Sequence, residues 1–152
     1  MELRVVAVGR GRDAPTDAMF ADYVRRCTWP IGLVEVQAKD STPPERRKSA
    51  EAVLLLAAVP AGAALAALDE RGRDLTSVEL ADRLARWRDG GQRAAVFLIG
   101  GADGLDERVL AAAELRLAFG RQTWPHRLVR AMLAEQLYRA TTILAGHPYH
   151  RQ

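Results

Sequence analysis

The feature that most constrains the fold is a regular alternation of short apolar runs with longer segments of helical spacing. The strongest apolar run is RAAVFLIGG (93–101), uniformly apolar between Arg93 and a glycine pair. A run of this length without polar alternation predicts a strand buried on both faces, which is the environment of a parallel sheet covered by helices. Similar runs are LRVVAV (3–8), IGLVEVQ (31–37), AALAALD (63–69) and LRLAF (115–119). Between them lie segments with apolar residues three and four apart. The first, 15–27, places Met19, Phe20, Tyr23, Val24 and Cys27 on one side. The next opens at Pro43 or Pro44 and runs to about Val59. A third, 76–91, begins at an N-cap candidate, Thr76 or Ser77, and ends at Gly90-Gly91. LDERVLAAAE predicts a short fourth helix, and a long one extends from Pro125 to about Ala145. The pattern predicts one α/β domain over 1–152, a largely parallel sheet with helices on both faces. It leaves the order of the strands open.

Composition excludes several classes. No apolar run approaches the roughly 18 residues of a membrane span. The richest, EAVLLLAAVPAGAALAAL, is interrupted by Pro60 and Gly62, and MELRVVAVGRG has no cleavage pattern, so we expect neither a membrane span nor a secretory leader. The single cysteine, Cys27, cannot form an internal disulfide and gives no metal cluster; a reducing cytoplasm and no metal are expected. Net charge is +3, but its distribution is uneven. Residues 115–152 hold six of the 22 basic residues and one of the 19 acidic ones, a balance of +5, leaving −2 for the rest. The three histidines, His126, His147 and His150, lie in the same quarter. RNA fits such a local positive field, as does an acidic surface of the same fold.

Two strand-to-helix corners carry glycine. FLIGGADGLDE places Gly100, Gly101 and Gly104 after the most buried strand, where open α/β sheets bind ligands. Its spacing is neither a dinucleotide fingerprint nor a phosphate-binding loop with its Lys-Ser/Thr, which disfavours a nucleotide triphosphate enzyme. The second corner, LAFGRQTWPHRLVRA, holds Gly120 and a rigid Trp124-Pro125 step before a helix bearing His126, Arg127 and Arg130. The free N–H groups of that helix end favour an electron-rich ligand. Arg127 and Arg130 share a helical face and are expected to be solvated or substrate-facing, while Glu135 and Arg139 are spaced as a surface ion pair. The tail AGHPYHRQ is unusually aromatic and basic for a chain end.

LIGGADGL, TWPHRLVRAMLAEQLYRA and HPYHR together resemble the RlmH-type 23S rRNA pseudouridine N3-methyltransferases of the SPOUT superfamily. LRVVAVGR and the LD closing the third strand are similar as well. This resemblance implies a C-terminal trefoil knot and a homodimer whose site is completed by the partner's surface. It also implies S-adenosyl-L-methionine as methyl donor, and 23S rRNA of the large ribosomal subunit, in the helix 69 region, as substrate. By position, the cofactor contacts are Leu68, Gly100 and Gly101, and the loop Phe119, Gly120, Arg121, Gln122, Thr123, Trp124 and Pro125. The substrate side is expected at His126, Arg130 and His147, and the catalytic groups at Tyr149, His150 and Arg151. The sequence departs from the family at Ala118 and Gly120, where serines are usual, and at Gln152, where an acid is common.

The chemistry this implies is demanding. N3 of pseudouridine is a weakly acidic imide nitrogen that must lose its proton before accepting a methyl group. A histidine, with an ordinary pKa of about 6.5, suits the base role, so His150 is expected nearest N3 with His147 as the other candidate. Arg151 or Arg130 would stabilise the anion or hold a phosphate. The alternative is a non-catalytic RNA-binding or ribosome-associated module using the same basic surface, which would bind RNA but not the methyl donor.

Overall fold

The computed structural model describes residues 1–149; His150, Arg151 and Gln152, with the catalytic roles expected of the first two, lie outside the described residues. Five strands and five helices alternate: β1 (Glu2–Val8), α1 (Ala14–Arg26), β2 (Ile31–Val36), α2 (Pro44–Ala57), β3 (Ala64–Asp74), α3 (Ser77–Asp89), β4 (Ala94–Ile99), α4 (Glu107–Ala112), β5 (Leu115–Ala118) and α5 (His126–Leu144). All strand pairings are parallel, in the order β2-β1-β4-β3-β5.

The period of two along each strand divides the core into two layers. Leu3, Val5, Ala7, Phe97 and Ile99 point to one face, where α3 and α5 supply Leu80, Leu84, Leu133 and Leu137. Val6, Val8, Val96 and Leu98 point to the other, against Ala52 and Leu55 of α2 and Val109 of α4. The central strand β4 is buried along its whole length, as its unbroken apolar run requires. α3 begins at Thr76, whose side chain accepts from the Glu79 N–H while Glu79 accepts from the Thr76 N–H; this reciprocal cap explains its sharp start.

One element differs from the sequence expectation. β3 does not end at Asp69. It pairs with β5 as far as Leu68↔Leu117, loses register over 69–72, and pairs again through Arg73↔Leu117 and Asp74↔Ala118. The protruding residues Asp69, Glu70 and Arg71 are polar, so the segment has the composition of a loop. Gly72 sits where an added Cβ would lie 2.7 Å from the Arg116 carbonyl. Glycine there lets the bulge return to the sheet.

Candidate functional site

Strand order reverses across β1, β4 and β3, and beyond the carboxyl ends of these strands lie two adjoining clefts. The larger encloses about 740 Å³ between the ends of β3, β4 and β5. Its floor is the glycine corner 100–104. An added Cβ on Gly100 would lie 2.7 Å from the Gly104 carbonyl, so the two arms of the corner touch backbone to backbone. Gly104 adopts φ +76°, which a side chain would strain. Its N–H closes the turn by donating to the Gly101 carbonyl at 3.0 Å.

The β3 bulge forms one wall and the loop 119–124 another, and the two are fastened together. The Gly120 N–H donates to the Asp74 carboxylate at 2.9 Å, and the Thr123 hydroxyl donates to Glu70 at 2.6 Å. The Trp124 indole N–H donates to the Phe119 carbonyl at 2.9 Å and closes the loop on itself. Leu68, Gly100, Gly101, Phe119, Gly120, Gln122, Thr123, Trp124 and Pro125, all expected at the cofactor, line this one cleft. Arg121 belongs to the same loop but is exposed and outside the lining.

The cleft also holds groups that sequence reasoning did not single out: Asp69, Glu70, Asp103 and Glu107, opposed by Lys48 and Arg71. The surplus of carboxylates suits a cationic ligand and disfavours a polyphosphate. Apolar surface from Leu68, Ile99, Leu117 and Val129 suits a flat heterocycle. A sulfonium compound joined to adenine, ribose and an amino acid combines these properties, so the residues present fit S-adenosylmethionine.

His126 opens α5 at the edge of this cleft. Burial, together with the nearby Arg130 and Arg127 cations, pushes its imidazole pKa below the usual value and so favours the neutral ring. Gly9, at φ +102°, brings the turn after β1 close to the ring; an added Cβ there would lie 3.5 Å from Nε2.

Arg130 is placed differently from the expectation of a solvated or substrate-facing cation. It is 3% exposed. One guanidinium nitrogen donates to Glu35 of β2 at 2.6 Å, and another to the carbonyls of Val8 and Gly9 at 2.8 and 3.0 Å. These carbonyls lie where β1 leaves the sheet, and their need for donors explains why the cation turned inward. Arg127 is also largely buried, with Asp17 at 3.6 Å.

The tail takes another direction. Tyr149 docks on α1 and α5, its ring 4.7 Å from that of Tyr138 and its hydroxyl donating to Glu135 at 3.3 Å. The Arg26 and Arg139 guanidinium groups approach the same ring at 5.5 and 4.9 Å. Burial and Glu135 push the Tyr149 phenol pKa upward. His147 is exposed and accepts the Tyr149 N–H. Glu135 and Arg139 thus form a half-buried pair that seats Tyr149, where a solvated pair was expected. At 1.5 Å rise per residue, Glu135 and Tyr138 lie about 14–18 Å along α5 from His126. Within one chain, Tyr149 and His147 do not join the cleft that His126 borders.

Comparison with known proteins gives this geometry a context. The family described as predicted SPOUT methyltransferase matches residues 1–150. The chain belongs to the SPOUT methyltransferase family. A relative from Rhodospirillum centenum, named ribosomal RNA large subunit methyltransferase H, is 56% identical over 151 residues, covering 99% of both chains. One of the same name from Paramagnetospirillum magneticum is 52% identical with the same coverage. The fold is shared with a probable methylase family protein from Haemophilus influenzae Rd KW20, at a TM-score of 0.62 and 11% identity, over 99% of this chain and 70% of that one. In this SPOUT protein no helix among the described residues is long and apolar enough to cross a membrane.

Proposed function

We propose that this SPOUT protein transfers a methyl group from S-adenosyl-L-methionine to N3 of a pseudouridine in 23S rRNA, in the helix 69 region, as a cytoplasmic homodimer. The observation that carries this reading is the convergence of the acid-lined glycine cleft with near-complete alignment to relatives named for large-subunit rRNA methylation.

The donor supplies an electrophilic methyl group on a positively charged sulfur. Around it, the chain's own residues do three things. The backbone of 100–104 and loop 119–124 clasps the ligand in a corner that the bulge contacts of Asp74 and Glu70 hold shut. The carboxylates Asp69, Glu70, Asp103 and Glu107 favour its cationic groups over anions. His126, whose neutral form burial and the neighbouring arginines favour, would add little like charge beside a sulfonium and offers a ring nitrogen at the mouth of the cleft. The trefoil path that the family implies is part of this proposal, since it would draw loop 119–124 tight against β3.

We assign substrate contact to His126, and to Tyr149, His150 and Arg151 acting with His147 on the partner's cleft. The position of Tyr149 well along α5 supports assignment in trans. So does an apolar hollow of about 560 Å³ between α1, α3 and α5, bordered by Met19, which is 47% exposed. Holding N3 in line with the methyl group would account for much of the acceleration, with His150 taking the imide proton and Arg151 facing the resulting anion.

The test is transfer of labelled methyl groups to ribosomes, followed by mass mapping of the modified base. Methyl-3-pseudouridine in 23S rRNA is the expected product. RNA binding without any binding of S-adenosylmethionine would overturn the reading in favour of a non-catalytic ribosome-associated module.

A further inference from the structure

Beside the cofactor cleft lies a second, of about 490 Å³, beyond the ends of β1 and β2. The two share Gly101, Ala102, Asp103 and His126, so a ligand in one meets a ligand in the other along that seam. Besides Glu51, the second cleft is lined by four basic side chains, Arg10, Lys39, Arg47 and Arg127, against two acidic ones, Asp40 and Asp103. Its interior contains a group of opposite character. Glu51 of α2 is 8% exposed, lies among core residues Ala52 and Leu55, and lines this cleft but not the first. Both its carboxylate oxygens lie 3.6 Å from where a Cβ on Gly101 would stand. Among the described residues its carboxylate has no side-chain hydrogen bond or ion pair, although its oxygens open onto the cleft and the Arg47 charge acts on it.

A buried carboxylate without a donor is costly, and an apolar residue at this helix position would pack against the same neighbours at lower cost. Burial and the nearby Asp103 push its pKa upward, against the opposing pull of Arg47. A ligand seated in the cleft can supply that donor in place of water. A nucleotide turned out of its RNA offers what this cleft complements: phosphates for the basic side chains and base N–H groups for the interior.

We propose that the second cleft receives the acceptor nucleotide, and that Glu51 accepts a hydrogen bond from N1–H of the pseudouridine and thereby distinguishes it from uridine. This rests on the methyl-transfer reading above. N3 has to face the first cleft to reach the methyl group, and Glu51 lines only the second, leaving it the other N–H of the ring. In pseudouridine the ribose is attached through carbon, so N1 keeps its hydrogen. In uridine N1 carries the ribose and no second N–H exists. Uridine would therefore bind with Glu51 still unpaired, and a site built around a substrate N–H strongly rejects an analogue lacking it.

The experiment compares kcat/KM for methyl transfer to ribosomes carrying pseudouridine or uridine at the target position, using wild type, Glu51→Ala and Glu51→Gln. Calorimetry with S-adenosylmethionine checks that each variant keeps its cofactor site. The expected result is a wild-type preference for pseudouridine that Glu51→Ala reduces by about tenfold or more. That loss should come from the pseudouridine rate alone, and Glu51→Gln, which retains an acceptor oxygen, should keep part of the preference. Equal losses on both substrates, an unchanged ratio, or loss of cofactor binding in both variants would each overturn the proposal. Wild type that methylates neither substrate would instead overturn the methyl-transfer reading itself.

Discussion

At the scale of single residues, the two charges buried deepest near the site are paid for very differently. Arg130 is held through both terminal nitrogens by Glu35 and the carbonyls of Val8 and Gly9, with only its Nε left without a partner. Arg130→Ala would leave those acceptors without donors and is expected to destabilise the protein by about 2–4 kcal/mol, a range tempered by the partial exposure of Glu35. Denaturant unfolding measures this; a loss under about 0.5 kcal/mol, the scale of an ordinary surface substitution, would show the contacts to be incidental. Glu51 has no such partners, and the folded state raises its pKa above the ordinary 4.5. Between the unfolded and folded values the native state binds the proton more tightly, so its contribution to stability is greatest at low pH and declines as pH rises through the folded pKa. Glu51→Gln is therefore expected to raise the melting temperature at pH 7–8, with the gain shrinking as pH falls towards 4.5. A melting temperature lowered at neutral pH, or a difference independent of pH, would contradict this.

At the scale of elements, the cleft depends on two irregular pieces, the glycine corner and the β3 bulge. Gly100→Ala places a methyl group against the Gly104 backbone, where no flexible side chain can move aside. The corner must open, and S-adenosylmethionine affinity is expected to fall by about tenfold or more, for a cost near 1.4 kcal/mol. Because the clash is confined to the turn, far-ultraviolet circular dichroism should stay unchanged; wild-type affinity by calorimetry would show the contact to be slack. The regular elements were legible in the sequence because apolar spacing reports burial directly: RAAVFLIGG is wholly apolar because β4 is covered on both faces. The bulge was not legible, since Asp69, Glu70 and Arg71 project from the sheet and carry the composition of a loop. The role of Arg130 is not legible in the sequence because the carbonyls of Val8 and Gly9, more than 120 residues away, set it. Glu51 did leave a signal: its spacing from Ala52 and Leu55 puts it on the buried side of α2, where a carboxylate is out of place. The glycine corner and loop 119–124 were recognised through family resemblance, while their mutual fastening through Glu70 and Asp74 depends on a β3 extension that periodicity does not reveal.

At the scale of the whole molecule, α5 links two regions that must cooperate if the tail takes part in methyl transfer. Its first residue, His126, borders both clefts, while Tyr149 is seated against Glu135 and Tyr138 further along the helix. His147 and Tyr149 line neither of their own chain's two clefts, so a site using tail and cleft together needs a second chain. This arrangement has a consequence that separates it from any single-chain site. Gly100→Ala disables the cleft and leaves the tail intact; a chain ending at Pro148 disables the tail and leaves the cleft intact. Refolding the two variants together in equal amounts gives half mixed dimers if association is random. Each mixed dimer contains one cleft of wild-type sequence facing a complete tail, and one doubly defective site. With S-adenosylmethionine held below its wild-type Kd, where Gly100→Ala alone keeps about a tenth of the activity or less and the truncated chain little, activity of the mixture should therefore recover to about a quarter of wild type. If each tail served its own cleft, no chain in the mixture would hold a complete site and activity would stay at the level of the separate variants. A truncated chain with full activity by itself would remove the tail from the mechanism altogether, leaving the two clefts and His126 to carry the reaction.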